Sequence, residues 1–272
     1  MNEIIKVGWL AEDIREIWFN NPLIAKQFKP GQFLIVKQDE ESERIPLTIV
    51  DTEGDAVRIV IQEVGYSTAR LCSLNKGESA GGVVGPLGIP SEVKKYGKTV
   101  CMAGGIGAAP LKPVAAGLKE LGNNLVIIEG VRSEKYLILE KELKELADEF
   151  ILMSDDGTVG EKGLVTEPLK KMIETGNIPD YVFAVGPPVM MEAVSKITRE
   201  KNIPLTVSLN PIMVDGTGMC GSCRVEVGGE TKFACVDGPE FDGNKVNYKL
   251  LGDRLKIYRK EEEYLNCKCR SK

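Results

Sequence analysis

Three cysteines towards the C-terminal end of the chain have a spacing that is typical of metal ligands. Cys220, Cys223 and Cys235 lie within DGTGMCGSCRVEVGGETKFAC, residues 215–235, as a C-x2-C pair followed by one more cysteine. Thiolates at such spacings hold iron-sulfur clusters or zinc, and both kinds of site normally use four protein ligands. The spacing therefore predicts a metal centre with one ligand still to be identified.

The chain contains no histidine and seven cysteines, which limits the chemistry further. Without histidine there is no Ser-His-Asp or Cys-His catalysis, no histidine-ligated zinc, no Rieske cluster and no haem with an axial histidine. An odd number of cysteines in a reducing compartment favours metal ligands and buried thiols over disulfides. We expect Cys72, in a predicted helix, and Cys101, in a predicted strand, to be thiols of the apolar core.

Length, hydropathy and charge limit the class of protein. A chain of 272 residues is long enough for two or three domains, and none of its apolar runs approaches the roughly 18 to 20 residues that span a bilayer. The N-terminal segment MNEIIKVGWL lacks the features of a signal peptide. The net charge of -5 argues against a nucleic-acid surface, which needs clustered positive charge. We therefore expect a cytoplasmic protein with neither a nucleic-acid nor a membrane partner.

Two patterns of secondary structure follow one another along the chain. In residues 1–95, short strands separated by glycine and proline predict a small antiparallel β-barrel, with one helix at STARLCSL. Residues 96–208 alternate apolar strands with amphipathic helices, which predicts a doubly wound parallel sheet. Residues 209–245 are rich in glycine and cysteine and leave little room for regular structure, and residues 246–272 form a charged tail. The predicted fold class is α/β, with an N-terminal β-barrel and a small C-terminal metal module.

The first turn of the predicted parallel sheet has the glycines of a phosphate-binding loop. In MAGGIGAAP, residues 102–110, Gly104, Gly105 and Gly107 allow the backbone to approach a phosphate, and the following helix presents free N–H groups to it. Pro110 stands where the dinucleotide fingerprint G-x-G-x-x-G has its third glycine, and a tight turn used only for packing is the alternative. The position of the loop at the start of a strand and helix unit favours nucleotide binding.

A second turn, in AVGPPVMM, follows a later strand. We expect Gly186 and Pro187 at the same carboxyl edge of the sheet, where open α/β sheets bind their ligands. For the ribose of a dinucleotide, Glu129 at the end of its strand favours NAD, whereas Arg132 favours a 2′-phosphate. The residues alone leave the choice between NAD and NADP open.

With these loops, the chain resembles the ferredoxin-NADP reductase superfamily over roughly residues 1–245. Its members have a flavin-binding barrel before a nicotinamide-binding α/β domain, so the resemblance implies FAD and NAD(H). RIPLTI, residues 44–49, matches the stretch that lies against the flavin; it implies that Thr48 lies near the reactive nitrogen and that Leu47 replaces a stacking tyrosine. Arg44 is implied at the flavin phosphates, although it lies one residue further from the threonine than in the family pattern.

The same resemblance implies further cofactor contacts. EVGYST, residues 63–68, matches the loop and helix start that bind the flavin pyrophosphate through Gly65, Ser67 and Thr68. GGIGAAP and GPPVMM match the nicotinamide-binding loops, with Val185 in place of the cysteine that usually precedes Gly-Pro. The remaining implied cofactor contacts are Pro46, Gln62, Ala109, Pro110 and Met190.

The resemblance also suggests the missing metal ligand. In the branch that includes the electron-transfer subunit of dihydroorotate dehydrogenase, four cysteines hold a 2Fe-2S cluster in the pattern C-x4-C-x2-C-x11-C or with a longer last spacing. The position of the first cysteine is occupied here by Asp215. A carboxylate binds iron as a harder ligand than thiolate, so we predict Asp215 as the fourth ligand. Cys267 or Cys269 is the alternative fourth ligand, and a zinc site is the alternative to the cluster.

With an aspartate at this position, the chain resembles a narrower group of proteins. This group comprises the small subunits of NADH-dependent reduced ferredoxin:NADP oxidoreductase and the sulfide dehydrogenase β subunits. This resemblance implies a subunit that exchanges a hydride between NAD(H) and FAD and passes single electrons through the cluster. It also implies a heterodimer with a larger flavin and iron-sulfur subunit, through which ferredoxin and NADP(H) take part in electron bifurcation. The alternatives are an electron-transfer subunit of dihydroorotate dehydrogenase and a zinc-stabilised nucleotide-binding regulatory module without redox activity.

Overall fold

The computed structural model describes residues 2–40 and 42–270, with side chains as far as residue 264. Its N-terminal part is an antiparallel sheet around an apolar core, which confirms the predicted antiparallel β region. The strands are β1 (Ile4–Ala11), β2 (Ile14–Asn20), β3 (Phe33–Lys37), β4 (Ile45–Glu53), β5 (Ala56–Gln62) and β6 (Gly82–Leu87), with helices α1 (Pro22–Gln27) and α2 (Tyr66–Cys72) between them. The sheet has the order β1-β2-β5-β4-β3-β6. The neighbouring strands β2 and β5 are buried along nearly their whole length, and β5 is rich in β-branched residues.

A parallel sheet with helices on both faces forms the middle of the molecule, as predicted. Its strands are β7 (Lys98–Gly104), β8 (Asn124–Val131), β9 (Glu149–Ser154), β10 (Glu161–Lys162), β11 (Tyr181–Val185) and β12 (Leu205–Ser208). The helices are α3 (Ala108–Glu120), α4 (Glu140–Leu146), α5 (Thr166–Glu174) and α6 (Pro188–Glu200). The order β10-β9-β8-β7-β11-β12 places β7 between β8 and β11. Separate apolar clusters cover the two faces, which explains why β11 is buried throughout.

The second helix of this domain is shorter than the sequence predicts. YLILEKELKELADE has a helical pattern from Tyr136, whereas the structure has a 3-10 turn at Glu134–Tyr136 and begins α4 only at Glu140. Leu139, just before α4, has a left-handed backbone (φ 57°) and is buried next to Ile138 in the core. The burial of two adjacent apolar side chains thus overrides the helical pattern.

The C-terminal region has more regular structure than expected, so the prediction of little regular structure in residues 209–245 is wrong. These residues contain the antiparallel hairpin β13 (Arg224–Val227) and β14 (Glu230–Phe233), the short helix α7 (Ala234–Asp237) and strand β15 (Glu240–Asp242). β15 pairs with β12 and extends the central sheet, and α8 (Tyr248–Arg254) and α9 (Arg259–Arg270) follow. Buried Val225 and Leu251 join this region to the core of the sheet, which gives a glycine-rich segment its order. No helix in the described residues is both long and apolar enough to cross a membrane.

One apolar core and one ion-pair network join the N-terminal sheet to the nucleotide domain. Ile14 and Val50 of the N-terminal sheet pack in the same cluster as apolar residues of α3 and α4. Beside them Arg58, which is 6% exposed, lies 2.8 Å from carboxylate oxygens of both Glu16 and Glu142. A buried guanidinium group needs such partners, because an uncompensated buried charge is strongly destabilising. The contacts therefore fix the position of one domain against the other.

Two of the cysteines belong to these cores, as predicted. Cys72 and Cys101 are 2% and 0% exposed. Burial raises the pKa of the Cys72 thiol to about 12 and also raises the pKa of Cys101. Both side chains are therefore neutral thiols that contribute packing.

Candidate functional site

The glycine loop between β7 and α3 forms an open turn at the carboxyl edge of the parallel sheet. Gly104 ends β7, and Gly105–Gly107 form a 3-10 turn that leads directly into α3. Gly105 has a left-handed backbone (φ +55°), and a Cβ atom there would point into open space, which leaves room for a ligand. The first turn of α3 has no acidic residue, so its N-terminus favours an anion. The side chain of Ala109 is buried there, and Pro110 has no N–H to satisfy.

The second predicted loop lies in direct contact with the first, because β7 and β11 are neighbours in the sheet. A Cβ atom on Gly104 would lie 2.6 Å from Sδ of Met190 and 2.9 Å from Cδ of Pro187. A Cβ atom on Gly107 would lie 2.4 Å from the carbonyl oxygen of Val185. Close packing therefore requires glycine at both positions. The predicted contacts that the structure brings together here are Gly104, Gly105, Gly107, Gly186, Pro187 and Met190.

Glu129 occupies a different place from the one that the sequence predicts. It lies in β8 opposite Ala103, its side chain is 0% exposed, and neither carboxylate oxygen has a hydrogen-bond partner in the described residues. Burial, together with the nearby charge of Glu140, raises the pKa of Glu129 to about 8. The predicted contact with a ribose hydroxyl is therefore not supported, since the carboxylate is enclosed before the strand reaches the edge of the sheet.

Arg132 and Ser133 follow the end of β8 at that edge instead. Arg132 is exposed, and its carbonyl oxygen accepts a hydrogen bond from the backbone N–H of Asp156 at 3.3 Å. The hydroxyl oxygen of Ser133 is buried and has no partner in the described part of the chain. A guanidinium group and a hydroxyl thus lie where dinucleotide-binding sheets contact the ribose. The sequence prediction missed Ser133, because no spacing rule distinguishes this serine from any other.

The N-terminal half of β4 carries the residues predicted to lie against a flavin. Pro46, Leu47 and Thr48 are half-buried, whereas Val50, further along the strand, is buried against α3. Arg44 is exposed immediately before the strand. One strand therefore has a half-open surface at its beginning and reaches the nucleotide domain further on.

The loop after β5 contains the residues predicted to bind the flavin pyrophosphate. Gln62 ends β5, Gly65 is the N-cap of α2, and Ser67 and Thr68 lie in the first turn of that helix. Oγ1 of Thr68 accepts a hydrogen bond from the N–H of Gly65 at 3.0 Å, and the hydroxyl of Ser67 donates to Glu43. The hydroxyl groups therefore stabilise the loop through hydrogen bonds within the protein. The first N–H groups of α2 are left to bind an anion.

Cys223 and Cys235 lie side by side in a small apolar core. Their sulfur atoms are 3.1 Å apart, and the N–H of Cys235 donates to Sγ of Cys223 at 3.4 Å. Both are buried against Phe33 and Ile35 of β3. Burial and the adjacent Cys223 raise the pKa of Cys235 to about 12, so this thiol needs a metal ion to become a thiolate at neutral pH.

Asp215 and Cys220 lie on the exposed side of the same loop. The carboxylate of Asp215 accepts hydrogen bonds from the N–H groups of Met219 at 3.1 Å and Cys220 at 3.2 Å, and from the hydroxyl of Thr217. The bond from Thr217 contributes most to a pKa of about 2 for Asp215, which is therefore an anion at neutral pH. Hydrogen bonding with Ser222 lowers the pKa of Cys220. Both side chains are chemically suited to bind a cation.

Glycines shape the loop that connects these four predicted ligands. Gly216, Gly218 and Gly221 all have left-handed backbones, with φ of +81°, +88° and +68°. A Cβ atom on Gly216 would lie 2.6 Å from Ile35 of β3 and 2.9 Å from Leu87 of β6, so the loop packs closely on the N-terminal sheet. Only a chain with glycine here can follow this path.

These four side chains fit a 2Fe-2S cluster, because they offer three thiols and one ionised carboxylate. The chain contains no histidine that could compete with them as a ligand. In the described residues no three Cys, Asp or Glu side chains converge on one point that could hold a metal ion. The side chains of Cys267 and Cys269, the alternative fourth ligands, lie outside the described part of the chain.

Phe33 connects the predicted flavin strand with the cysteine pair. It is 4% exposed, lies opposite Thr48 across β3 and β4, and packs in the same core as Cys223 and Cys235. The sequence predicts the strand GQFLIVK, but the contact depends on the register between two antiparallel strands. Sequence reasoning therefore missed Phe33.

Two family descriptions match separate parts of the chain. Residues 101–196 match the oxidoreductase NAD-binding domain, and residues 210–247 match the iron-sulfur cluster binding domain of dihydroorotate dehydrogenase B. A Thermotoga maritima protein named dihydroorotate dehydrogenase B (NAD(+)), electron transfer subunit homolog is 46% identical over 265 residues, which cover 97% of this chain and 93% of the relative. The chain belongs to this family of electron-transfer subunits and their homologues. A Clostridium acetobutylicum member, named dihydroorotate dehydrogenase B (NAD(+)), electron transfer subunit, is 32% identical, with 81% of this chain and 87% of the relative covered.

Solved structures agree with this family. The chain matches a structure described as giving insights into flavin-based electron bifurcation via the NADH-dependent reduced ferredoxin-NADP oxidoreductase, with a TM-score of 0.94, 44% identity and coverage of 100% and 98%. Cytochrome P450 reductase GcoB from Amycolatopsis, at 22% identity, a TM-score of 0.63 and coverage of 74% and 65%, shares the fold. The predicted superfamily is confirmed, and so are FAD, a 2Fe-2S cluster and NAD(H) as the cofactors of such a chain. The names of the relatives as subunits imply a larger catalytic partner.

Proposed function

We propose that the protein is the small flavin and iron-sulfur subunit of an electron-bifurcating NADH-dependent reduced ferredoxin:NADP oxidoreductase. The observation that carries this proposal is the match along the whole chain to a structure of that oxidoreductase, at 44% identity. Asp215 adds support, because it stands where the subunits of dihydroorotate dehydrogenase are expected to have a cysteine. The larger partner then supplies the contacts with ferredoxin and NADP(H).

The nicotinamide site lies along the carboxyl edge of the parallel sheet. Gly105 and the N-terminus of α3 bind the pyrophosphate of NAD(H), because the open turn and the free N–H groups suit an anion. Gly186 and Pro187 form the surface for the nicotinamide ring. Arg132 and Ser133 contact the ribose of the adenosine half, so they take the place first assigned to Glu129.

The flavin site lies on the half-open beginning of β4. FAD, when bound, supplies the conversion between hydride transfer and single-electron transfer. Leu47 packs against its ring system, Thr48 offers a hydroxyl at the reactive edge, and the first turn of α2 binds the pyrophosphate. Because β4 continues into the core shared with α3, this surface and the nicotinamide surface keep a fixed separation. Hydride transfer requires such positioning.

The metal site uses Asp215, Cys220, Cys223 and Cys235 as ligands of a 2Fe-2S cluster, which supplies one-electron exchange with the partner subunit. Phe33 packs against the buried cysteines and pairs with Thr48, so the metal site and the flavin strand are neighbours in one structure. Met219, in the same loop, is 89% exposed and gives the partner subunit a surface next to the metal.

The iron, sulfide, flavin and zinc content of the purified protein tests the proposed cofactors. Anaerobically purified protein should contain about two irons and about two acid-labile sulfides per chain, together with flavin, and no zinc. Cys223→Ser should reduce the iron and sulfide content, whereas Cys101→Ser is a matched control, because both thiols are buried but Cys101 lies in the core of the parallel sheet. Zinc without sulfide would refute the redox function and favour a structural zinc site.

An activity assay with the larger partner distinguishes the proposed function from the alternative, in which the protein serves as the electron-transfer subunit of dihydroorotate dehydrogenase. That alternative is favoured by the match of residues 210–247 to the iron-sulfur domain of dihydroorotate dehydrogenase B. With its larger partner, the protein should support ferredoxin reduction by NADPH that requires NAD+ at the same time. NAD+ reduction that depends on dihydroorotate, with no coupling to ferredoxin, would contradict the proposal and support the alternative.

A further inference from the structure

Two residues, Gly221 and Ser222, form the spacer between the cysteines of the C-x2-C pair. Two arginines from different elements donate hydrogen bonds to this spacer. Arg224, the first residue of β13, donates from Nη1 to the carbonyl oxygen of Gly221 at 3.2 Å. Arg254, the last residue of α8, donates from Nη2 to the carbonyl oxygen of Ser222 at 3.0 Å. Each carbonyl oxygen of the spacer therefore accepts a hydrogen bond from a guanidinium group.

Arg254 is held in place by a well-anchored helix. The side chain of Asn247 caps α8 by accepting a hydrogen bond from the N–H of Leu250 at 3.0 Å, and Leu251 is 2% exposed in the core of the parallel sheet. The match to the iron-sulfur domain ends at residue 247, so α8 follows the matched module. The second arginine thus reaches the metal loop from outside that module.

Both guanidinium groups border a small cavity next to Cys220. The cavity has a volume of about 160 Å³, and Ile212, Ile257 and Tyr258 contribute to its wall. In the described part of the chain, neither guanidinium group forms an ion pair with a carboxylate, and Nε of Arg254 is buried without a hydrogen-bond partner. Arg254 is half-buried whereas Arg224 is exposed, so of these two positive charges beside the predicted ligand Cys220, the charge of Arg254 is less screened by water.

We propose that Arg254 is a positioning residue that raises the reduction potential of the iron-sulfur centre, an inference that rests on the proposed cluster. When the centre accepts one electron, its net charge becomes more negative by one unit. A nearby guanidinium charge stabilises that reduced state more than the oxidised state. The hydrogen bond to Ser222 also fixes the spacer, and the position of Cys220 depends on the spacer. Arg254 thereby favours electron storage in this subunit.

The test is a redox titration of the intact protein, followed by the electron paramagnetic resonance signal of the reduced cluster. Arg254→Gln removes the charge, Arg254→Lys keeps it, and Lys249→Gln removes one positive charge from an exposed position of the same helix. We expect Arg254→Gln to lower the equilibrium constant for one-electron reduction about tenfold, which is a midpoint potential about 59 mV more negative. Arg254→Lys and Lys249→Gln should keep the wild-type midpoint potential.

Iron and sulfide content is measured in each variant, so that the two proposals fail in different ways. Wild-type protein without iron and sulfide would refute the cluster itself. An unchanged midpoint potential in a fully loaded Arg254→Gln variant would overturn the role of Arg254, and so would an equal shift in Lys249→Gln. If Arg254→Gln does not retain the cluster, Arg254→Lys decides: a wild-type midpoint potential supports the role of the charge, and a shift of the size expected for Arg254→Gln contradicts it.

Discussion

Glu129 offers a direct test of the nucleotide domain, because its carboxylate is fully buried and neither oxygen has a hydrogen-bond partner in the described residues. Burial raises the pKa of Glu129 from 4.5 to about 8, with the charge of Glu140 adding to the effect and that of Lys144 opposing it. One pKa unit corresponds to about 1.4 kcal/mol, so ionisation of Glu129 costs the folded state up to about 5 kcal/mol relative to the unfolded chain.

The raised pKa fixes the sign of the pH dependence. The native protein keeps a proton that the unfolded chain releases, so the stability from protonated Glu129 is fully present below about pH 4.5 and is lost as the pH rises through about 8. Glu129→Leu replaces the ionisable group with an apolar side chain. We expect this variant to have a free energy of unfolding about 4 kcal/mol higher than wild type at about pH 8, with a smaller difference at about pH 5.

Urea denaturation followed by circular dichroism at several pH values measures this difference. Glu149→Leu is the control, since Glu149 is exposed in the adjacent strand β9 and its loss should change the free energy of unfolding by no more than about 0.5 kcal/mol. A Glu129→Leu variant that is no more stable than wild type at about pH 8, but binds NADH about tenfold more weakly, would refute the reasoning. That result would mean that the carboxylate reaches the ribose.

Three further substitutions test the loops and the contact between domains. Gly107→Ala should weaken NADH binding about tenfold or more in a fluorescence titration, because its Cβ would meet a carbonyl oxygen at 2.4 Å, whereas Gly252→Ala, with nothing within 4 Å, should bind NADH normally. Asp215→Cys should make the midpoint potential of the cluster more negative in a redox titration, because thiolate donates more electron density than carboxylate; an unchanged value would count against Asp215 as a ligand. Arg58→Met should lower the free energy of unfolding in urea by about 3–5 kcal/mol, because it leaves the buried carboxylate of Glu16 without its buried partner; a loss under about 1 kcal/mol would contradict this.

The sequence by itself determined the parts of the protein that depend on local pattern. Alternating apolar strands and amphipathic helices predict the parallel sheet, because burial of a strand on both faces and of a helix on one face requires those periods. The glycines of residues 104–107 predict an open turn, because glycine adopts the left-handed backbone seen at Gly105. The spacing of Cys220, Cys223 and Cys235 predicts a metal loop, because these three thiols lie within one short segment.

Only the tertiary structure decided where distant residues meet. The sequence places Glu129 near the end of its strand, but only packing shows that its carboxylate is enclosed within the nucleotide domain. Phe33 lies opposite Thr48 because of the register between β3 and β4. It contacts Cys223 because the cysteine loop packs against the N-terminal sheet. Arg254 lies thirty-two positions from its partner Ser222, and a helix folded back on the core brings the two together. Such contacts depend on the shape and packing of the whole chain, and no periodicity or spacing in the sequence records them.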